Sequence, residues 1–219
     1  MLPQAHAQNL DITITNLTHG LYNTPILVGA HRADTHIFQV NSAASTQIQA
    51  MAEGGSIDAL VTQLESIDAA IISNPADGLL GPGASTSITD FDTGTNTYLS
   101  IVAMLLPTND GFIGLDAWKI PEEPGNYTVY LNAYDAGTEA NNEIVVDGSG
   151  ASGVLGIPAN PGANGGNGAT GVTTTEENNL IHIHRGALGD TDLTGGVSDL
   201  DSRIHRWLNP VTRVVVTVK

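Results

Sequence analysis

Apolar and polar residues alternate along several stretches of the chain, a period of two that is typical of β-strands with one buried face. Residues 10–17 form the first such stretch. Residues 127–134 form a second, in which Val129, Leu131 and Ala133 share one face. Shorter strands are predicted near residues 25–29, 85–91 and 180–185.

One stretch, residues 97–106, is apolar almost throughout, which predicts a central strand buried on both faces. Residues 212–218 are strongly β-branched, which predicts a further central strand. Residues 111–115 are expected to return as a further strand after a turn.

A helical spacing is present in one part of the chain. Residues 42–53 lack Gly and Pro and carry apolar residues three or four positions apart. Gly54 and Gly55 then predict the end of this helix. Ser56 predicts the N-cap of a second short helix that runs to about Leu64.

Residues 147–171 are dominated by Gly, Ala, Asn and Pro. This low complexity predicts a long, mobile surface loop that is a poor place for chemistry. The remaining pattern favours one domain over residues 10–219, preceded by a flexible terminus at residues 1–9. In that terminus, Ala5-His6-Ala7 has the small-x-small pattern of a signal-peptidase site, which favours the remnant of a signal peptide.

Charge excludes one class of function. The chain has 219 residues, with 23 acidic against 7 basic residues, for a net charge of −16. Binding to nucleic acid is therefore not expected, because phosphate contacts need clustered Lys and Arg. Divalent cations and neutral or cationic glycan surfaces are compatible partners.

Cysteine is absent, so no disulfide and no thiolate metal site can form. The sequence also has no run of about 18 apolar residues, so we predict no transmembrane segment.

Two Gly-bearing turns carry the strongest chemical signal. Asp110 lies in the turn after the first buried stretch, and Asp135 and Glu139 flank Gly137 in a second turn. Neither turn contains a basic residue, and a hard cation such as Ca²⁺ takes six to eight oxygen ligands. The alternative is that these are solvated turn residues, since Asp and Gly are common turn formers.

Other acidic and histidine residues give further hypotheses. His182 and His184 would face the same side of a strand and could bind zinc or copper with a third imidazole. An exposed polar strand face is the alternative.

Two Asp-x-Asp pairs could hold a second cation or simply solvate a loop, and they comprise Asp190, Asp192, Asp199 and Asp201. A hydrolytic centre is a further possibility, made of His31, Arg32, Asp34 and His36. Trp118 and Trp207 are expected to pack against strands, with a sugar platform as the alternative.

The chain resembles the spondin N-terminal domain, which is found in F-spondin, mindin and many secreted bacterial proteins. The resemblance rests on five blocks that cover most of the chain outside the Gly-rich loop. They are residues 25–38 (with GAHRAD), 43–60 (with MAEGG), 99–115 (with PTNDGFIGLD), 134–139 (YDAGTE) and 209–214 (NPVTRV).

This resemblance implies an all-β fold: an antiparallel β-sandwich of about eight strands with one or two short helices, like that of calcium-dependent membrane-binding modules. It also implies one Ca²⁺, held by the residues that match the family's turns, Asp110, Asp135 and Glu139. Animal members usually have Asp where Glu139 stands, so the geometry should differ slightly. Animal members also use disulfides, and their absence here fits a bacterial member.

Three functions follow as expectations. The first is a secreted or cell-surface calcium-binding module for adhesion to an extracellular protein or glycan, without catalysis. The second is a structural subunit of an extracellular filament, in which the strand at residues 10–17 adds to a neighbour's sheet edge. The third expected function is that of a transition-metal-binding protein that uses His182 and His184.

Overall fold

The computed structural model describes residues 8–151 and 153–219. The signal-peptide hypothesis falls mainly on residues 1–7, which lie outside the described residues. The described chain forms ten strands and two helices, in the order β1 (Asn9–Asn16), β2 (Tyr22–Asn23), β3 (Leu27–His31), α1 (Thr46–Gly54), α2 (Asp58–Glu65), β4 (Ala70–Ser73), β5 (Ser85–Asp92), β6 (Tyr98–Leu106), β7 (Gly111–Lys119), β8 (Gly125–Asp135), β9 (His182–Ile183) and β10 (Thr212–Val218).

The strands form one antiparallel sheet that is nearly closed into a barrel-like sandwich, which confirms the predicted fold class. The strand order is β4-β3-β6-β7-β8-β10-β1-β5. β10 lies between β8 and β1, as its β-branched sequence predicts. β1 pairs with both β10 and β5. The hypothesis that the N-terminal strand adds to a neighbour's sheet is therefore wrong, because β1 has no free edge.

β6 carries the core on both of its faces. Leu99, Ile101 and Ala103 point into the interior of the sandwich, where they pack with residues of β1 and β10. Val102 and Met104 point to the other side, where they pack against the two helices. This double burial explains why the segment is apolar throughout, and it holds the turn that follows β6 in a fixed position.

α1 begins and ends where local chemistry requires. The Ser45 side chain caps its N-terminus by accepting the Ile48 N–H at 3.2 Å. Gly55 ends it in the left-handed conformation, with a φ of 73°. The prediction that Ser56 caps α2 is wrong: the N-cap position is Ile57, and the helix is held by burial of its apolar residues Leu60 and Leu64.

Several element boundaries differ from the sequence pattern. The predicted strand at residues 180–185 is paired only at His182–Ile183, since the chain turns away at Gly186 after meeting the end of β8. β4 and β2 are short edge or bridging strands whose pairing partners are distant in sequence. Strands of two to four residues have too short a pattern to be recognised by periodicity.

The Gly-rich segment at residues 147–171 contains neither helix nor strand in its described residues, as predicted. It is nevertheless anchored. Val145 and Ile157 form a parallel bridge, and the buried Ile157 packs with Ala187 and Leu200 in a small third cluster. This part of the loop is therefore a packed component of the fold.

Candidate metal centre

The register of β7 and β8 brings the two acidic turns together. Gly111, the first residue of β7, pairs with Asp135, the last residue of β8. Asp110 directly precedes Gly111, and Glu139 follows Asp135 after one tight turn. The two strands that precede these turns, β6 and β8, are not neighbours, because β7 lies between them. The turns meet because Asp110 also directly precedes β7, which pairs with β8. We call Asp110, Asp135 and Glu139 the carboxylate centre.

Each turn depends on a glycine. A Cβ at Gly111 would lie 2.6 Å from the Thr108 hydroxyl oxygen, and the Gly111 N–H donates to that hydroxyl at 3.0 Å. Gly137 has a φ of 67°, and a Cβ there would lie 2.6 Å from the Asn178 carbonyl oxygen. Any larger residue at either position would move the carboxylates.

Asp110 is fully buried, and only one of its two carboxylate oxygens is hydrogen-bonded. Its Oδ2 accepts the Thr138 N–H at 2.8 Å and the Glu139 N–H at 3.3 Å. Its Oδ1 is buried and has no hydrogen-bond partner among the described residues. The side chain is therefore fixed in orientation while one oxygen stays free.

Glu139 repeats this arrangement. Its Oε2 accepts the Gly156 N–H at 3.0 Å. Its Oε1 is buried and makes no hydrogen bond of good geometry within residues 8–151 and 153–219, although the Asn109 side-chain amide lies near enough to stabilise the ionised carboxylate. Unpartnered buried oxygens are rare and costly, so the two in this centre are oxygens that a bound cation would satisfy.

Asp135 differs from the other two because both of its oxygens are hydrogen-bonded. Oδ1 accepts the Gly137 N–H at 2.9 Å, and Oδ2 accepts the Asn141 side-chain amide at 2.7 Å. The ring of His182 lies 3.8 Å from the same Oδ2. A carboxylate oxygen has a second lone pair, so Asp135 can still serve as a ligand.

Electrostatics set these carboxyls apart from surface ones. Burial, reinforced by the charge of Asp135, raises the pKa of Asp110 well above its usual range. Burial likewise raises the pKa of Glu139 to about 7, with Glu53 and Asp135 adding repulsion. In the described chain, none of the three carboxylates contacts a Lys or Arg side chain.

The donor set fits a hard divalent cation in chemistry: carboxylate oxygens, two of them free, with no competing cation. The described residues contain, however, no three His, Asp or Glu side chains that already lie close enough together to form a metal-binding group. The centre is thus partly organised, with two buried oxygens that lack a hydrogen-bond partner in the described chain and a third carboxylate held by hydrogen bonds.

The two candidate histidines have different surroundings. His182 is partly exposed beside Asp135, whereas His184 is buried, with its ring centroid 4.9 Å from that of Trp207. Nδ1 of His184 accepts the Gly186 N–H at 3.0 Å, and burial lowers its pKa to about 4. The third imidazole or carboxylate that a zinc or copper site needs is not brought to them in the residues described.

The C-terminal aspartates are bound by the protein itself. Asp190 accepts the N–H groups of Val197 and Ser198, and Asp199 accepts those of Val145 and Ala169. The remaining pair shows the same behaviour: Asp192 caps Thr194, and Asp201 forms a salt bridge with Arg203. These side chains organise loops.

The residues of the hydrolytic hypothesis are not brought together. His31 is buried and hydrogen-bonds the Ser100 hydroxyl at 2.7 Å. His36 pairs with Asp116 of β7 and not with Asp34. Trp118 and Trp207 pack against the core, as expected.

Sequence reasoning missed two groups around the centre, Asn141 and the Gly153–Gly156 segment with Glu53. Asn141 carries a side-chain amide that fixes Asp135. Gly153 donates its N–H to Glu53 at 2.8 Å, as Gly156 does to Glu139. Backbone donors leave no mark in sequence, although the Asn-Asn-Glu run at residues 141–143 is a signal that could have been followed.

Fold and site together define an antiparallel β-sandwich whose strand ends carry an acidic centre. The family model described as Spondin_N matches residues 17–144, more than half of the 219-residue chain. The chain therefore belongs to the spondin N-terminal domain family, which confirms the resemblance and is consistent with an extracellular binding module. A search among curated proteins gave no match. None of the helices in the described residues is long and apolar enough to cross a membrane.

Proposed function

We propose that this protein is a secreted, calcium-binding β-sandwich that acts as an extracellular binding and adhesion module, without catalysis. Membership of the spondin N-terminal domain family supports the extracellular role. The partner is an extracellular protein or a glycan surface. The high negative charge, −16, makes nucleic acid an unsuitable partner.

One observation carries the calcium part of the proposal. Asp110 Oδ1 and Glu139 Oε1 are both buried, and within the described chain both are without a partner. Their other oxygens are held by backbone N–H groups, which fixes the orientation of each carboxylate. Asp135 would complete the set through a remaining lone pair, with carbonyl oxygens and water supplying the rest.

Bound Ca²⁺ would supply positive charge near three buried carboxylates, which would have to move closer together to share the ion. Asp110 and Glu139 would then hold the ion in their ionised forms, and their raised pKa values mean that protons leave as it binds. The role of the ion would be to join the turn after β6 to the turn after β8, and so to fix the loops at this end of the sandwich.

Thermal unfolding in calcium and in chelator tests the proposal. At about a hundredfold excess of Ca²⁺ over its dissociation constant, binding should stabilise the fold by roughly 2.7 kcal/mol. For a domain of this size, that corresponds to a rise in Tm of roughly 5–10 °C. Equal Tm values in the two buffers would contradict the proposal, and equal stabilisation by Zn²⁺ would favour a site that includes His182.

A further inference from the structure

The Gly-rich segment contacts the carboxylate centre at Glu139 and helix α1 at Glu53. Gly156 donates its N–H to Glu139 Oε2 at 3.0 Å, and Gly153 donates its N–H to Glu53 Oε2 at 2.8 Å. We call residues 153–157 the strap. The strap lies outside the matched family region, residues 17–144.

The strap is closely fitted to the body of the domain. Its last residue, Ile157, donates to the Ile144 carbonyl at 2.8 Å and accepts the Val146 N–H at 3.0 Å. Gly156 has a φ of 135°, and a Cβ there would lie 2.7 Å from the Val146 side chain. Just before the strap, the Gly150 carbonyl oxygen lies 2.1 Å from where a Cβ on Gly54 would be, so only glycine fits at the end of α1.

Glu53 links the strap to the helical layer. This α1 residue is buried, and its two oxygens accept the Gln49 side-chain amide at 2.9 Å and the Gly153 N–H. Its charge acts on Glu139 and raises the pKa of that residue, although burial of Glu139 is the larger cause. Glu53 therefore influences the centre without having a free oxygen to offer an ion.

Glu139 has one oxygen on the strap and one oxygen free. An ion bound at Oε1 would hold the carboxylate in one orientation, and in that orientation Oε2 stays on the Gly156 N–H at 3.0 Å. Cation binding and order of the strap are therefore linked through a single side chain.

Resting on the calcium site proposed above, we propose that residues 153–157 are a built part of the carboxylate centre. Gly156 positions Glu139 for the ion, Glu53 anchors the strap at Gly153, and occupancy by Ca²⁺ tightens the strap. Val154 and Leu155 stand exposed between the two anchors, so the ion also controls how these apolar side chains are presented.

Proteolysis of the strap tests this, because elastase, a serine protease that needs no metal ion, cleaves after exposed Val and other small apolar residues. In the full chain, Ca²⁺ is expected to slow cleavage at residues 153–157 about tenfold relative to chelator, as retention of one hydrogen bond to a carboxylate would do. Glu53→Gln replaces the charged acceptor of the Gly153 N–H with a weaker neutral one, so it is expected to speed cleavage in both buffers while calcium still binds. Glu65→Gln, an exposed change on α2, is the matched control and should cleave as the unchanged chain does.

Calcium binding is measured on the same samples by equilibrium dialysis, which separates two failures. If the unchanged chain binds no Ca²⁺, both the proposed function and the coupling fail. If it binds Ca²⁺ but cleavage of the strap is the same in calcium, in chelator and in Glu53→Gln, the coupling is overturned and the calcium site stands. Gly156→Ala provides a second variant: it should weaken calcium binding and speed cleavage together, and a change in neither would also overturn the proposal.

Discussion

Two acidic regions of this molecule look alike in sequence and differ in structure. The carboxylate centre has Asp110 and Glu139 with one free buried oxygen each, and their pKa values are raised. In the C-terminal acidic loops, backbone hydrogen bonds lower the pKa of Asp190, and Arg203 lowers that of Asp201 to about 2. In one region the protein leaves its carboxylates unsatisfied, and in the other it satisfies them.

This difference shows what distinguishes a cation site from a cluster of acids. A carboxylate that caps backbone N–H groups is stable as an anion and needs no ion. A buried carboxylate with an unpaired oxygen is unstable as an anion unless a cation joins it. The same residue types can therefore form either a cation site or a loop held by its own hydrogen bonds. The hydrogen bonds around the carboxylates distinguish the two.

Asp110→Asn should have the largest effect on calcium affinity, and this effect should distinguish the carboxylate centre from the C-terminal acidic loops. The amide keeps an acceptor for the Thr138 N–H but removes a charged ligand, so calcium affinity should fall on the order of a hundredfold. In chelator, the free energy of unfolding should fall by no more than about 0.5 kcal/mol, since a buried charge is relieved. Calcium titration and urea unfolding measure both, and a variant that keeps full affinity would break the comparison.

The pH dependence should be the next largest effect. Glu139 has a pKa of about 7 when folded, above its ordinary value of 4.5, so its proton stabilises the ion-free fold at low pH and this contribution is lost as pH rises through about 7. Ca²⁺ compensates for that loss, so the gap in Tm between calcium and chelator should widen from pH 5 to pH 7.

His184 acts in the opposite sense. Its folded pKa of about 4 lies below the ordinary 6.5, so stability from this residue is lost as pH falls from about 6.5 to 4. The contribution of His184 to stability is the same in calcium and in chelator, so it does not affect the difference in Tm between the two buffers. A gap in Tm that is constant between pH 5 and pH 7 would contradict the role of Glu139.

Asp199→Asn should affect stability and leave calcium binding unchanged. Its two oxygens accept N–H groups from Val145 and Ala169, and an amide presents a donor to one of them, at a cost of about 1–3 kcal/mol. Urea unfolding in chelator measures the loss. A changed calcium affinity with an intact fold would mean that the two regions are not separate.

Glu139→Asp should have the smallest effect. It restores the residue usual in animal members of the family, but the shorter side chain cannot reach both the ion and the Gly156 N–H. We expect calcium affinity to fall by less than about tenfold, as for loss of a supporting hydrogen bond. Calcium titration measures it, and complete loss of binding would mean that the length of Glu139 is essential.

The strand pattern could be predicted from sequence because β1, β6, β8 and β10 each bury a regular set of apolar residues. The two acidic turns could be recognised from sequence, but the way they meet could not: β7 separates β6 from β8, and the turns meet through the pairing of β7 with β8. The short strand β4 could not be predicted, because its four residues show no clear alternation and its pairing with β3 is set by tertiary packing.

The hydrogen-bond partners of the site could not be predicted from the sequence, for a different reason. The anchors from Gly153 and Gly156 are backbone N–H groups, which every residue except proline carries. A Gly-rich composition predicts a mobile loop, and only the folded chain brings this segment onto Glu53 and Glu139. The same holds for the C-terminal aspartates, whose spacing does not reveal that N–H groups already occupy them.

Calorimetric titration of the full chain with Ca²⁺ at pH 6.5, in buffers of different ionisation enthalpy, tests the central claim most directly. The account predicts one ion per chain, with release of at least about half a proton from Glu139, whose pKa is about 7. No binding, or binding that releases no proton and persists in Asp110→Asn, would contradict the claim that these buried carboxylates hold the ion.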